Sequence, residues 1–247
     1  MSTLGKFCGI GVGPGEPGLI PLVAWEFLKE CDLIFVPRAR TMEHSVARQC
    51  LPPNAIPEER FREVEFTMSS DRSVLVEHYA RLAETLAMEL RAGKKVAYLT
   101  IGDPFTYSTY IYTLSALKDC LPGLSYRTYP GVTSYCALAA AAEFSLGESK
   151  ERILILPCPD DMQELGRAIN EHDIVVLMKI GERLPSVLGL LKEMGIAEYC
   201  AFGRHVGMND QVVYSGLQDM ESEKSLGYLS TMLIRRNPPK KRHTGVL

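Results

Sequence analysis

Gly9-Ile10-Gly11-Val12-Gly13-Pro14-Gly15-Glu16-Pro17-Gly18 is the stretch on which the fold turns. The apolar run Phe7–Val12 reads as a strand, and it opens into bare backbone with five glycines in ten residues. Glycines at that density let another group approach the main chain closely. Gly13, Gly15 and Gly18 also satisfy G-x-G-x-x-G, the spacing of a dinucleotide-binding turn. Two features argue against a dinucleotide. Pro14 and Pro17 remove amide donors from the turn that would cradle a pyrophosphate. Asp32 stands ahead of the second apolar run, whereas a ribose-binding carboxylate belongs at that strand's carboxyl end. A merely tight strand-to-helix turn is the plainer alternative.

Working outward, a helix is expected over Leu22–Cys31 and a short strand over Leu33–Val36, closed by Pro37. Residues 71–92 carry Val74, Leu75, His78, Tyr79, Leu82, Leu86 and Leu90 at spacings of three and four, which is helical. Asp71 suits its N-cap and Gly93 its end. Lys95–Thr100 reads as a buried strand. Further strands are expected at Tyr126–Tyr129, Ile153–Leu156, Ile174–Met178 and Cys200–Phe202, and helices over Thr133–Glu143 and Leu184–Met194. Gln211–Ser215 and Gly227–Arg235 are strand-like with little helix between them, which points to antiparallel pairing. Early alternation and a strand-rich end describe an α/β protein with partly mixed sheets. A division near Cys120-Leu121-Pro122-Gly123 gives two expected domains, 1–120 and 121–247.

Composition narrows the function classes. The 247 residues are 46% hydrophobic and 23% charged, the profile of a folded globular chain. A net charge of −3 supplies no general field for nucleic acid or a membrane surface. The basic run Arg235–Arg242 reads as a solvated tail. Seven cysteines, odd in number and never spaced C-x-x-C, read as reduced thiols and give no metal site. No secretory signal or membrane-length apolar run is recognisable, so a cytoplasmic location is expected.

Three further segments carry chemistry. Leu99-Thr100-Ile101-Gly102-Asp103-Pro104-Phe105-Thr106-Tyr107-Ser108-Thr109 follows a buried strand, where α/β proteins place ligand contacts. Gly102 lets a ligand lie on the backbone, Asp103 can accept ribose or ammonium hydrogens, and Tyr107 offers a ring face. Pro130-Gly131-Val132-Thr133-Ser134-Tyr135 opens an alanine-rich helix with free amides and hydroxyls, although Thr133 or Ser134 also suits an ordinary N-cap. Val175-Val176-Leu177-Met178-Lys179-Ile180-Gly181 is a strand ending in lysine and says nothing alone.

In this order over nearly the whole chain, the four segments resemble the tetrapyrrole (corrin/porphyrin) methyltransferase family. Gly11–Leu22 looks like the family's GxGPGxP opening. Leu99–Thr109, read as L-x-GDP-x-x-YST, is similar to the branch that methylates C-20 of precorrin-2 or cobalt-factor II. The Val36-Pro37 pair, PGVTS and VVLMK-x-G look like the same branch.

The resemblance implies two α/β domains with a cleft between them, distinct from the Rossmann methyltransferases, and S-adenosylmethionine as methyl donor. Carried over by position, Pro14, Ile101, Gly102, Asp103, Thr106, Thr133, Ser134, Met178 and Gly207 would line the cofactor pocket. The tetrapyrrole is rich in carboxylates, for which Arg38, Arg40 and Arg204 are candidate partners. The proton that leaves C-20 has Asp103, Tyr107 and His205 as candidate acceptors, with Asp103 and Tyr107 preferred. A homodimer is expected, as is usual in the family. Rival readings are a family member acting at another ring position, a diphthamide-type enzyme acting on a protein, and a nucleotide- or NAD-binding oxidoreductase.

Overall fold

The computed structural model describes residues 4–39, 43–66, 71–221 and 227–238. The chain divides into two compact units, 1–133 and 134–247, each built on a five-stranded sheet.

The first unit runs β1 (Phe7–Gly11), α1 (Leu22–Lys29), β2 (Leu33–Ala39), α2 (Val46–Gln49), β3 (Phe61–Phe66), α3 (Arg72–Arg91), β4 (Val96–Thr100), α4 (Tyr110–Cys120) and β5 (Tyr126–Tyr129). Its strand order is β3-β2-β4-β1-β5, parallel throughout. Both faces are covered. Phe7, Leu33, Phe35 and Tyr98 pack with α3 and α4. Their neighbours in sequence, Cys8, Ile34 and Ala97, point the other way with α1 and α2. That two-sided burial is why these strands are apolar without a break.

Three details locate this unit. Asp71 caps α3 by accepting the N–H of Ser73 at 2.8 Å. Pro37 does not end β2, because pairing with β4 has already stopped at Phe35 and Pro37 faces only the edge strand β3. Finally, β5 hydrogen-bonds beside β1 in the first sheet. The division therefore falls at Thr133/Ser134, beyond the expected position near Cys120.

The second unit runs α5 (Ser134–Ala141), β6 (Ile153–Pro157), α6 (Met162–Glu171), β7 (Ile174–Met178), α7 (Leu184–Glu193), β8 (Ala201–Arg204), β9 (Val212–Ser215) and β10 (Ser230–Arg235). The order is β6-β7-β10-β8-β9. Only β6–β7 is parallel, and the other pairs are antiparallel, as the strand-rich end of the sequence suggested. Val175, Leu177, Phe202, Met232 and Ile234 pack with α6 and α7 on one face. Val176, Ala201 and Leu233 meet α5 on the other. Among the described residues, no helix is long and apolar enough to cross a membrane. No group of three or more His, Cys, Asp or Glu among them is placed to hold a metal ion.

Candidate active site

In the first unit the carboxyl ends of β1, β4 and β5 converge on three glycines. A Cβ on Gly131 would lie 2.0 Å from the carbonyl oxygen of Gly102, and one on Gly11 would lie 2.5 Å from that same oxygen. No side chain fits there, so the three turns pack backbone to backbone. Gly102 donates its N–H to the Gly13 carbonyl at 2.8 Å, and Val12 donates to Thr100 at 3.0 Å. Gly13 and Gly102 both have positive φ, at 85° and 68°, which glycine alone adopts without strain. The outcome is an edge of bare peptide groups where an open parallel sheet receives ligands.

Asp103 binds this edge together. Its Oδ1 accepts the N–H of Phe105 at 2.9 Å and the hydroxyl of Thr106 at 3.3 Å. Its Oδ2 accepts the N–H of Gly131 at 3.2 Å. The Tyr-Ser-Thr that follows starts α4: Ser108 Oγ pairs with Thr100 Oγ1 at 2.8 Å and accepts the N–H of Tyr110 at 3.1 Å. Tyr110 is buried, its hydroxyl 2.6 Å from Thr128 Oγ1, and burial pushes its pKa up to about 12. Tyr107 is exposed, with φ at 52°. That is a strained value for a non-glycine residue, and such strain gathers at functional sites.

The dinucleotide reading does not survive this geometry. Asp32 precedes β2 and accepts the N–H of Lys95 at 2.8 Å. It therefore stands at the amino ends of β2 and β4, the opposite end from the glycine turn.

In the second unit the predicted residues gather at one end of the sheet. Met178 ends β7 and pairs in register with Thr231, while Arg204 ends β8 and pairs with Ser230. Ser134, the first residue of α5, has its Oγ 2.9 Å from Thr231 Oγ1. The loop after β8 carries Gly207, whose N–H is donated to Gln211 Oε1 at 3.0 Å. His205 Nδ1 lies 2.7 Å from Asp210 Oδ2, and Arg204 reaches that oxygen at 3.9 Å. The hydrogen bond from His205 holds the Asp210 carboxyl below its ordinary value. His205 Nε2 and Arg204 Nε are buried without a hydrogen-bond partner. Thr231, Asp210 and Gln211 were not singled out from sequence. Lone polar residues in loops and on an apolar strand carry no local signal of the residue they will meet.

Pro14 is buried in the turn after β1, and Ile101, Gly102, Asp103 and Thr106 follow β4. Thr133 is the residue before α5. Arg38, near the end of β2, is engaged by Glu63 at 3.0 Å and Glu65 at 3.3 Å. Arg40 and the basic tail beyond Pro238 lie outside the described residues.

The chain is 28% identical to the cobalt-precorrin-2 C(20)-methyltransferase of Salmonella typhimurium, over 94% of this chain and 97% of that one. It is 30% identical to a probable cobalt-precorrin-2 C(20)-methyltransferase of Methanocaldococcus jannaschii, over 94% and 96%. Among solved structures, the cobalt precorrin-4 methyltransferase CbiF superposes with a TM-score of 0.68 at 20% identity, covering 94% of this chain and 96% of that one. That likeness shows the fold. The model of the Tetrapyrrole (Corrin/Porphyrin) Methylases matches residues 6–220, and the chain belongs to that family.

Proposed function

We propose that this protein transfers the methyl group of S-adenosylmethionine to C-20 of precorrin-2 or cobalt-factor II, on the route to cobalamin. The near full-length likeness to two enzymes named for that ring position carries the reading. A relative named for C-11, from Priestia megaterium, is matched over only 56% of this chain, so methylation at another ring position stands second.

The glycine edge fits the donor. Because Gly11 and Gly131 carry no side chains, the turns at Gly11, Gly102 and Gly131 close on one another and bring their main-chain groups to one edge. Pro14, Ile101, Gly102, Asp103, Thr106 and Thr133 of the first unit are assigned to cofactor contact, and Ser134, Met178 and Gly207 of the second. A bound sulfonium supplies a methyl group that is already a good electrophile. The protein's task is then to hold donor and ring carbon in line and exclude water.

C-20 gives up its proton once the new carbon–carbon bond has formed. Asp103 spends both carboxylate oxygens on the loop and on Gly131, and His205 Nε2 is buried. Tyr107, exposed and four residues beyond Asp103, is the group we assign to relaying that proton: its hydroxyl oxygen receives it as the hydroxyl's own proton passes to solvent water, with Asp103 holding the loop in place. Arg38, Arg40 and Arg204 are assigned to substrate carboxylates. The protein is expected to act as a cytoplasmic homodimer, which light scattering on the purified protein tests.

The deciding experiment is anaerobic transfer of labelled methyl from S-adenosylmethionine to precorrin-2 and, in parallel, to cobalt-factor II. Label at C-20 of either product is the expected result. Binding of S-adenosylmethionine with no transfer to either would reject the C-20 assignment.

A further inference from the structure

Phe105 is 57% exposed, yet both its backbone and its ring have partners within the first unit. Its N–H is donated to Asp103 Oδ1, on the same carboxylate whose Oδ2 takes the N–H of Gly131. The buried Pro104 stands before it. Below, the Phe105 ring meets Tyr110 edge-on, with centroids 5.6 Å apart and planes at 70°. Tyr110 cannot yield: its hydroxyl is tied to Thr128, and its ring fills the space over Gly9, where a Cβ would lie 2.1 Å from Cζ. Phe7 stacks on it from behind at 6.3 Å.

A single exposed phenylalanine is ordinary. This one sits on a fixed aromatic column, two residues from the carboxylate that closes the glycine edge. Tyr107, two residues further on, is exposed as well. A held aromatic face loses little conformational freedom when something flat settles on it.

We propose that Phe105 is a stacking platform for the conjugated ring of the tetrapyrrole, and that it determines affinity for the macrocycle while leaving the methyl donor untouched. The proposal rests on the functional reading above. A tetrapyrrole has apolar faces and a carboxylate rim, so a rigid aromatic takes the faces while cations take the rim.

The test uses the full-length protein and cobalt-factor II as probe, with binding followed by the probe's visible absorption and transfer followed with labelled donor. Phe105→Ala should weaken cobalt-factor II binding about tenfold, the order expected for one lost aromatic face. Phe105→Trp should stay within about twofold of the parent. S-adenosylhomocysteine affinity should be unchanged in both. Unchanged probe binding in Phe105→Ala would overturn the proposal. So would a change in oligomeric state, which would make this face a contact between copies of the chain. If the parent binds cobalt-factor II without methylating C-20, the C-20 reading fails while a Phe105→Ala binding defect still supports the platform. If the parent binds no tetrapyrrole, both fall.

Discussion

Asp103 Oδ2 accepts the backbone N–H of Gly131 at 3.2 Å, joining two turns 28 positions apart in sequence. Its other oxygen organises the turn it belongs to. A carboxylate is the smallest side chain that can accept on both sides at once. Asparagine has one acceptor oxygen, so Asp103→Asn must give up one of the two ties. We expect about a tenfold loss of S-adenosylmethionine affinity, the size of one charge-assisted hydrogen bond. Asp103→Ala should lose more, with a lower melting temperature. Titration calorimetry reads the first effect. Unchanged affinity in the asparagine variant would reduce Asp103 to a local turn residue.

Gly131→Ala tests the glycine convergence itself. Its Cβ would stand 2.0 Å from the Gly102 carbonyl oxygen, with backbone on both sides and nothing flexible to give way. Overpacking of that kind costs about 1–3 kcal/mol, and the turns should part enough to abolish donor binding. Gly189→Ala is the control. It lies within α7 with nothing within 4 Å of the added carbon, so alanine there should stabilise by about 0.5–1 kcal/mol. Urea midpoints of opposite sign for the two variants are the expected outcome.

Much of this was legible because local chemistry and tertiary role coincide. Asp71 and Gly93 bracket α3 in sequence and in space, and Ile174–Met178 is a strand by composition and by pairing. The glycine turn was readable as a close approach, although what approaches, the Gly102 and Gly131 backbone, comes from distant positions. Where the reading fell short, partners outweighed local signals. The β3 sequence Phe61–Phe66 is half charged, yet it pairs as an edge strand along β2. α4 begins with aromatic and β-branched residues of weak helix propensity, and it is held by burial of Tyr110, Leu114 and Leu117. α6 was missed although Asp161, Leu165 and Ile169 mark its cap and buried stripe. The position of β5 was unreadable from Tyr126–Tyr129 alone, because nothing in four residues says which sheet will accept them. For the same reason the domain division was expected too early.

The cysteines make a prediction about reactivity. Burial pushes the thiols of Cys31, Cys50 and Cys200 up to about 12 and that of Cys8 up to about 11. Thiolate is the reactive form. Iodoacetamide at about pH 8 should therefore modify the exposed Cys136 first and leave these four intact until the chain unfolds. Peptide mass spectrometry gives the order. Because each of these folded pKa values lies above the ordinary 9.0, the folded form holds its protons more tightly. Stability is complete below pH 9.0 and should fall as pH climbs toward 12. Early labelling of Cys50 in native protein would contradict that packing.

Arg38 poses a sharper question, since its guanidinium already faces two carboxylates, Glu63 at 3.0 Å and Glu65 at 3.3 Å. A substrate carboxylate would compete with them for the same donors. Two substitutions with opposite expected effects therefore bear on its role. Arg38→Ala should raise the tetrapyrrole KM about five- to tenfold without altering affinity for S-adenosylmethionine. Glu65→Gln removes one competing charge. It should lower that KM. Both effects should shrink at high salt, because the site is partly open to solvent. A purely structural Arg38 gives another pattern: both variants lower the melting temperature, neither moves the KM, and the cationic contact must then be sought at Arg204.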